Sequence, residues 1–282
     1  MNQTMQTQAT GKTARTPETI MASYLTHELR APVTAIKLGL EIFEEQVGDR
    51  LQSDERQMLN LAIKNTGRLQ GLVNDIMDYT KVLAGKMQLA FQSCDAREIL
   101  SDVVSSFQPW AISKGIRLVK EESNEPLPRI KAEQRRVIQV LTNLISNALK
   151  FTPARGTVTV GVKMGKYEHA GTLVFRVKDT GAGIPAEHLE SIFDTFSQSV
   201  SNGKQSDGTG LGLTLARSMV QLHGGRIWAE SWKGLGATFC FTIPIASEDM
   251  AEQIEVYAKP VEYHGLFVDV FRKLNAFVAA FF

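Results

Sequence analysis

The sequence has few of the features that mark secreted, membrane-spanning or nucleic-acid-binding proteins. Its 282 residues contain two isolated cysteines, Cys94 and Cys240, so we expect two buried thiols in a reducing cytoplasm rather than a disulfide framework. No apolar run reaches the roughly 20 residues of a membrane helix, and the N-terminus lacks a signal-peptide core. A net charge of +1 gives no reason to expect nucleic acid as a partner. We therefore expect a cytoplasmic protein.

The first pattern present is a pair of amphipathic helices. Residues 1–16 are rich in Gln and Thr without periodicity, and we expect a disordered lead-in. One helix is predicted from Pro17 to about Val47, and a second from a cap at Ser53 to Gly85. Apolar residues repeat in steps of three and four, as in a heptad seam. The seam of the first helix comprises Leu29, Val33, Ile36, Leu40, Phe43 and Val47, and that of the second Met58, Ala62, Asn65, Leu69, Leu72, Ile76, Tyr79 and Leu83.

A two-helix hairpin buries one stripe per helix, whereas two hairpins paired into a four-helix bundle bury the remaining apolar surface as well. We therefore predict that residues 17–85 form a dimerisation domain and that the protein is a homodimer. The alternative is that the hairpin packs against the C-terminal half of its own chain.

After Lys86 the pattern becomes mixed, and we predict an α+β fold over residues 86–246. Short connections between helices and strands favour an α/β sandwich, with helices on one face of a mostly antiparallel sheet. Alternation predicts strands at Met87–Phe91, 117–120, 157–163, 172–178, 226–231 and 237–243, and helical spacing predicts helices at 99–110, 133–150, 187–195 and 212–222.

Three polar residues share one face of the helix predicted at 133–150. Asn143 and Asn147 are four residues apart, and Lys150 is seven residues from Asn143, so all three project from the same side. Two amides and an ammonium can hold a hydrated Mg²⁺ and phosphate oxygens. The same pattern also fits an ordinary solvated helix face.

Two glycine-rich stretches add to this pattern. Asp179 follows a predicted strand, and a carboxylate there can accept a hydrogen bond from the amino group of adenine. Gly181 and Gly183 would let the base approach the backbone closely. The second stretch opens the helix at 212–222 and suits phosphate binding by backbone N–H groups, and the polar segment at 197–207 before it is predicted to be a mobile lid. This second stretch comprises Gly208, Thr209, Gly210, Leu211 and Gly212.

Taken in order, these stretches resemble the sensor histidine kinases of two-component systems. His27-Glu28-Leu29-Arg30 with Pro32 resembles the phosphoacceptor H box of that family. The remaining motifs follow over residues 18–245 with the family's order and rough spacing, and six motifs in order are far more specific than any one. They are the N box at 143–152, the glycine boxes at 179–184, 208–213 and 234–239, and the F box at 192–196.

The resemblance implies a phosphotransfer bundle joined to a Bergerat-type ATP-binding domain. It implies that the γ-phosphoryl group of MgATP passes to His27, and then to an aspartate of a response regulator receiver domain. Glu28 would orient the imidazole and accept its proton. The implied nucleotide contacts are Asn147 to Mg²⁺, Asn143 and Lys150 to phosphates, Asp179 to adenine, and Thr238 near the same pocket.

Two positions bear on the chemistry. Related ATPases of the gyrase and Hsp90 type carry a water-activating glutamate where this chain has Asn143, which favours transfer to a protein over hydrolysis. Family members commonly have Thr or Asn four residues after the histidine to align water, and this chain has Ala31, so weak phosphatase activity is predicted. The alternative functions are an ATPase of the same fold and a non-catalytic dimeric scaffold that binds a regulator.

The last 36 residues exceed the family core. Residues 266–282 can form an amphipathic helix, which would either dock on the protein's own surface or contact a membrane surface or a partner. The other histidines have no metal-ligand spacing, and we expect them to be surface or capping residues. They are His169, His188, His223 and His264.

Overall fold

The structure is a computed structural model. It describes residues 17–123, 125–195 and 210–245, and for residues 17–27 it describes the backbone alone. The chain divides into two compact units, one ending at Lys86 and the next beginning at Met87. None of the described helices has the length and apolarity needed to cross a membrane.

The first unit is a helical hairpin. Helix α1 spans Pro17–Val47 and helix α2 spans Ser53–Leu83, with a short 3-10 turn between them. The predicted cap at Ser53 is wrong by one residue, because Gln52 precedes the helix and its N–H donates to Glu55 Oε2 at 2.8 Å. The end of α2 agrees with the prediction. Gly85 is left-handed (φ 61°), and the N–H groups of Gly85 and Lys86 bond back to the carbonyls of Val82 and Lys81, a Schellman ending.

The seam predicted for α1 is two stripes rather than one. Val33 is buried against the other helix of the hairpin, whereas Leu29, Ile36 and Phe43, seven residues apart, remain about half exposed. Each helix of a hairpin has one partner, so a residue facing sideways stays uncovered. In α2 the buried residues likewise include positions outside the predicted seam, namely Leu59, Val73, Met77 and Thr80. We call the uncovered apolar residues Leu29, Ile36, Phe43, Met58 and Leu69 the outer stripe.

The second unit is an α/β sandwich, as predicted. Its helices are α3 (Ala96–Ser113), α4 (Gln134–Phe151) and α5 (Gly212–Leu222). Its strands are β1 (Gln92–Cys94), β2 (Arg117–Lys120), β3 (Ile130–Ala132), β4 (Thr157–Met164), β5 (Thr172–Asp179), β6 (Ile227–Ser231) and β7 (Ala237–Pro244).

Two predicted elements of this unit are wrong. Met87–Phe91 is irregular and the strand follows it, because the Ala90 N–H donates to the Glu133 side chain (3.2 Å) instead of to a neighbouring strand. The helix predicted at 187–195 is two separate 3-10 turns, Ala186–His188 and Ser191–Phe193, and Phe193 is the buried residue within them. A segment with so little apolar surface has no continuous stripe to hold a full helix against the core.

The main sheet has the strand order β2-β4-β5-β7-β6 and is antiparallel except for the β2–β4 pair. Side chains of one face alternate inward along each strand and meet the helices. In its centre Phe175 stacks on Phe241 with ring centroids 4.7 Å apart. The predicted apolar face of α4 is confirmed, with every member at most 2% exposed: Val137, Val140, Leu141, Leu144, Ile145 and Ala148.

Candidate nucleotide and phosphoacceptor sites

Asp179 is the last residue of β5 and is 5% exposed. Its Oδ1 accepts hydrogen bonds from the N–H groups of Gly181 (2.7 Å) and Ala237 (3.3 Å). Burial raises the pKa of this carboxyl, and the two N–H donors oppose that rise. Both bonds go to Oδ1, so Oδ2 can accept a hydrogen bond from a ligand such as an adenine amino group.

The loop after Asp179 requires glycine. A Cβ at Gly181 would lie 2.6 Å from the carbonyl oxygen of Phe151, and Gly183 has a φ of 70° with the backbone of Trp232 in the space a side chain would need. The loop is also tied to the β6–β7 turn, because the Gly234 N–H donates to the Ala182 oxygen at 2.7 Å. These contacts hold backbone close to Asp179, where a flat base can approach it.

The N-box residues lie on α4 as predicted. Asn143 and Asn147 are both half-buried, and Asn143 Nδ2 donates to the carbonyl oxygen of Gly212 at 3.0 Å. The Lys150 ammonium lies 5.4 Å from the centre of the Phe151 ring. The Asn143 bond is not predictable from the motif, and it joins α4 to the first residue of α5.

The second glycine box is described from Gly210 onward. Gly210 is left-handed (φ 69°), Leu211 is buried, and Gly212 begins α5. The first turn of a helix directs backbone N–H groups out of its N-terminal end, and such a helix start favours an anion. Gly208, Thr209 and the predicted lid lie outside the described residues.

The side chain of Thr238 does not share a sheet face with that of Asp179. It pairs with Lys178 on β5 and Glu230 on β6, so it belongs to the face of the sheet opposite that of Asp179. The neighbouring residue Ala237 makes the contact instead, through its backbone. The motif alone leaves this ambiguous because a shift of one residue reverses which face each side chain occupies.

Ser231 supports the glycine loops in a way that the motifs did not predict. Its Oγ accepts from the Ile184 N–H at 2.8 Å and donates to the Gly236 carbonyl at 2.6 Å, so one buried hydroxyl links the first and third glycine boxes. A serine at a strand end carries no sequence signal for this role.

In the helical unit, His27 lies within α1, and the structure describes its backbone alone. The next residue, Glu28, is exposed, as are Ala31 and Pro32. The helix is assigned without interruption through Pro32. The H box is therefore a continuous helical segment of the hairpin, with an exposed carboxylate beside the histidine.

A buried carboxylate at a strand end, tight glycine loops and an amide-bearing helix define a nucleotide-binding domain. Comparison with known proteins agrees. Residues 132–247 match the family described as "Histidine kinase-, DNA gyrase B-, and HSP90-like ATPase", and residues 18–85 match the "His Kinase A (phospho-acceptor) domain". The chain thus belongs to the sensor histidine kinases of two-component systems, which confirms the resemblance.

Individual relatives support this assignment. The chain is 33% identical over 225 residues to the sensor histidine kinase WalK of Bacillus subtilis, and 34% identical over 221 residues to the histidine protein kinase DivJ of Caulobacter vibrioides. These matches cover 79% and 78% of this chain but 36% of each relative. Full-length ShkA in complex with AMPPNP is similar in structure, with a TM-score of 0.67, 29% identity, and coverage of 81% of this chain and 46% of ShkA.

Proposed function

We propose that the protein is an ATP-dependent histidine kinase that phosphorylates His27 and passes the phosphoryl group to an aspartate of a response regulator receiver domain. The observation that carries this proposal is the presence of both halves of the reaction in one chain. In the second unit Asp179 is hydrogen-bonded within the first and third glycine boxes and Asn143 to the start of α5, while the first unit carries an H box on a hairpin whose outer stripe is uncovered.

Each part of the nucleotide has a candidate partner in this domain. Asp179 Oδ2 would accept from the adenine amino group, and the start of α5 would bind phosphates through backbone N–H groups. Asn147 would ligate Mg²⁺ through its amide oxygen, with Lys150 near the phosphates. MgATP supplies the phosphoryl group that is transferred.

At the acceptor, a neutral ring nitrogen of His27 would form the new P–N bond as the bond from phosphorus to the ADP oxygen breaks. Glu28 would hold the imidazole and accept the proton that it loses. Asn143 supports transfer over hydrolysis, because its amide is no general base and its Nδ2 already donates to Gly212.

The outer stripe supports a homodimer. Met58 is 71% exposed and Ile36 is 55% exposed, and a second hairpin would cover both in a four-helix bundle. We further propose a cytoplasmic location, to which MgATP and a receiver domain have access. The amphipathic segment at 266–282 lies outside the described residues, and membrane-surface or partner contact through it remains a proposal.

Transfer of labelled phosphate from ATP tests the kinase proposal. The purified chain should acquire acid-labile, base-stable label, and His27→Gln should abolish it, with His188→Gln as the matched control because His188 is exposed on the other unit. Release of inorganic phosphate without protein labelling would favour the ATPase alternative. A chain that binds a receiver domain but neither labels itself nor hydrolyses ATP would be a scaffold.

A further inference from the structure

The sequence predicts that His223 is a surface or capping residue. In the structure it caps a helix and is buried. It directly follows the last residue of α5 and is 7% exposed. Its Nε2 accepts from the backbone N–H of Glu133 at 3.1 Å, and its Nδ1 lies 2.7 Å from the carbonyl oxygen of Met219. A backbone N–H can only donate and a carbonyl can only accept. The imidazole is therefore neutral, with its proton on Nδ1.

This histidine joins the two helices that carry the nucleotide groups. Glu133 immediately precedes α4, so the bond ties the start of α4 to the end of α5. At the other end of α5, Gly212 accepts from Asn143, which lies in the middle of α4. The two ties are ten residues apart along α4 and eleven residues apart along α5, which corresponds to about 15 and 16 Å of helix. The two antiparallel helices are thus tied at both ends of α5, over matched lengths.

Charged groups around the imidazole bear on its protonation. Burial lowers the pKa of His223 most strongly, and Arg136 lowers it further, whereas the Met219 carbonyl and Glu133 raise it. The Glu133 carboxylate also accepts a hydrogen bond from the Ala90 N–H at 3.2 Å, and its Oε1 lies 3.8 Å from Arg136 Nε. The edge-on ring of Phe91, with centroids 5.5 Å apart, closes the remaining side. A second proton would place an N–H against the Glu133 N–H and remove the tie.

We propose that His223 is a positioning residue for the nucleotide site: its neutral imidazole holds α4 against α5, and protonation releases that tie and weakens nucleotide binding in acid. The inference rests on the proposed nucleotide site. It adds a proton-sensitive element at the end of the helix pair remote from Asn143 and Gly212.

Two variants separate positioning from mere folding. In His223→Gln a side-chain oxygen can still accept from the Glu133 N–H but cannot titrate, and in His223→Phe the ring volume remains without an acceptor. His169→Gln is the control, since His169 stacks on Trp228 at 4.6 Å and belongs to neither tie. Binding of AMPPNP with Mg²⁺ by the full chain would be titrated from neutral to mildly acidic pH.

At neutral pH, His223→Gln and the control should bind within a few-fold of wild type. His223→Phe should bind about tenfold more weakly, the effect of one buried N–H left without a partner. On acidification wild type should lose affinity more steeply than His223→Gln. The nucleotide and Asp179 titrate alike in both chains, so the difference in slope isolates His223.

Amide exchange at Glu133 without nucleotide provides a second measurement. The amide should be protected in wild type and in His223→Gln at neutral pH, and exposed in His223→Phe. Equal slopes for wild type and His223→Gln, or wild-type affinity in a folded His223→Phe chain, would overturn the inference while leaving the nucleotide site intact. A wild-type chain that binds no AMPPNP at any pH would overturn the proposed function as well.

Discussion

The two units of this protein cover their apolar residues to very different extents. Among the described side chains of the hairpin, five apolar residues are buried while eight large ones are exposed. The α/β domain, by contrast, buries both the inner face of its sheet and the apolar face of α4. The domain therefore has its own core, whereas the hairpin leaves apolar surface that the proposed dimer would cover.

The difference also separates the two kinds of chemistry. Asp179, Ala237 and Ser231 make hydrogen bonds between distant parts of one domain, which suits a pre-organised binding site. His27 and Glu28 lie on a single helix. The proposed phosphoryl acceptor is thus defined by local sequence and the proposed nucleotide site by tertiary packing.

The strongest test of this contrast is to place charge on the outer stripe. The double change Ile36→Lys with Phe43→Lys should make the chain monomeric. Burial of each large apolar side chain contributes about 1.5–3 kcal/mol, and a twofold interface loses each contact twice, so the dimer dissociation constant should rise by at least about a hundredfold. Light scattering across a concentration series measures this.

Glu45→Lys is the matched control, because Glu45 is an exposed charged residue of the same helix. It should leave the dimer unchanged. A double variant that remains dimeric at low concentration would show that the two hairpins do not meet through this stripe.

A second test acts on the domain alone. Asp179→Asn removes the charged acceptor, and hydrogen bonds to charged groups contribute about 1.5–3 kcal/mol, so nucleotide affinity should fall roughly 10- to 100-fold. Calorimetric titration with AMPPNP measures the loss, with exposed Asp102→Asn in α3 as the control. The dimer should be unaffected. Unchanged affinity would remove Asp179 from the site.

A third and smaller effect concerns the phosphoacceptor helix. Ala31→Thr restores a hydroxyl one turn after His27, and we expect dephosphorylation of the cognate regulator in the presence of ADP to rise several-fold, in line with one added hydrogen bond of about 1 kcal/mol. Ala35→Thr, also exposed on α1, is the control. Brisk phosphatase activity in the wild type, with no gain in Ala31→Thr, would contradict the prediction.

The smallest expected effect is that of pH on the stability of the two units. Burial and the neighbouring Asp78 raise the pKa of Asp75 in α2 to about 6. The folded hairpin then binds more protons than the unfolded chain between pH 3.8 and about 6, so this group adds stability as the pH falls through that window. The lowered pKa of His223 acts in the opposite direction. The neutral imidazole contributes to the stability of the domain, and this contribution is lost as the pH falls below 6.5.

Hydrogen exchange in the full chain, resolved by unit, measures both effects, and that of Asp75 is on the order of 1 kcal/mol after allowance for solvent screening. Asp75→Asn should flatten the response of the hairpin alone, and His223→Gln should reduce that of the domain alone. The same response in wild type and Asp75→Asn would show that this carboxyl is not the source.

The local sequence pattern was sufficient to predict most helices and strands and to recognise the family. The apolar face of α4, the start of α5 at Gly212 and the end of α2 at Gly85 agree with the sequence-based predictions. All three depend on neighbours within about one helical turn. The irregular segment before β1 was mispredicted because a side chain 43 residues away captures its backbone N–H.

The sequence by itself determined where most helices and strands form and which motifs occur, because these depend largely on residues adjacent in the chain. Tertiary structure alone decided which stripe of α1 is covered, and that Ala237 rather than Thr238 meets Asp179, 58 residues away. It also decided that His223 accepts from Glu133, 90 residues away. Contacts at such separations depend on strand register and helix packing, which no local preference specifies.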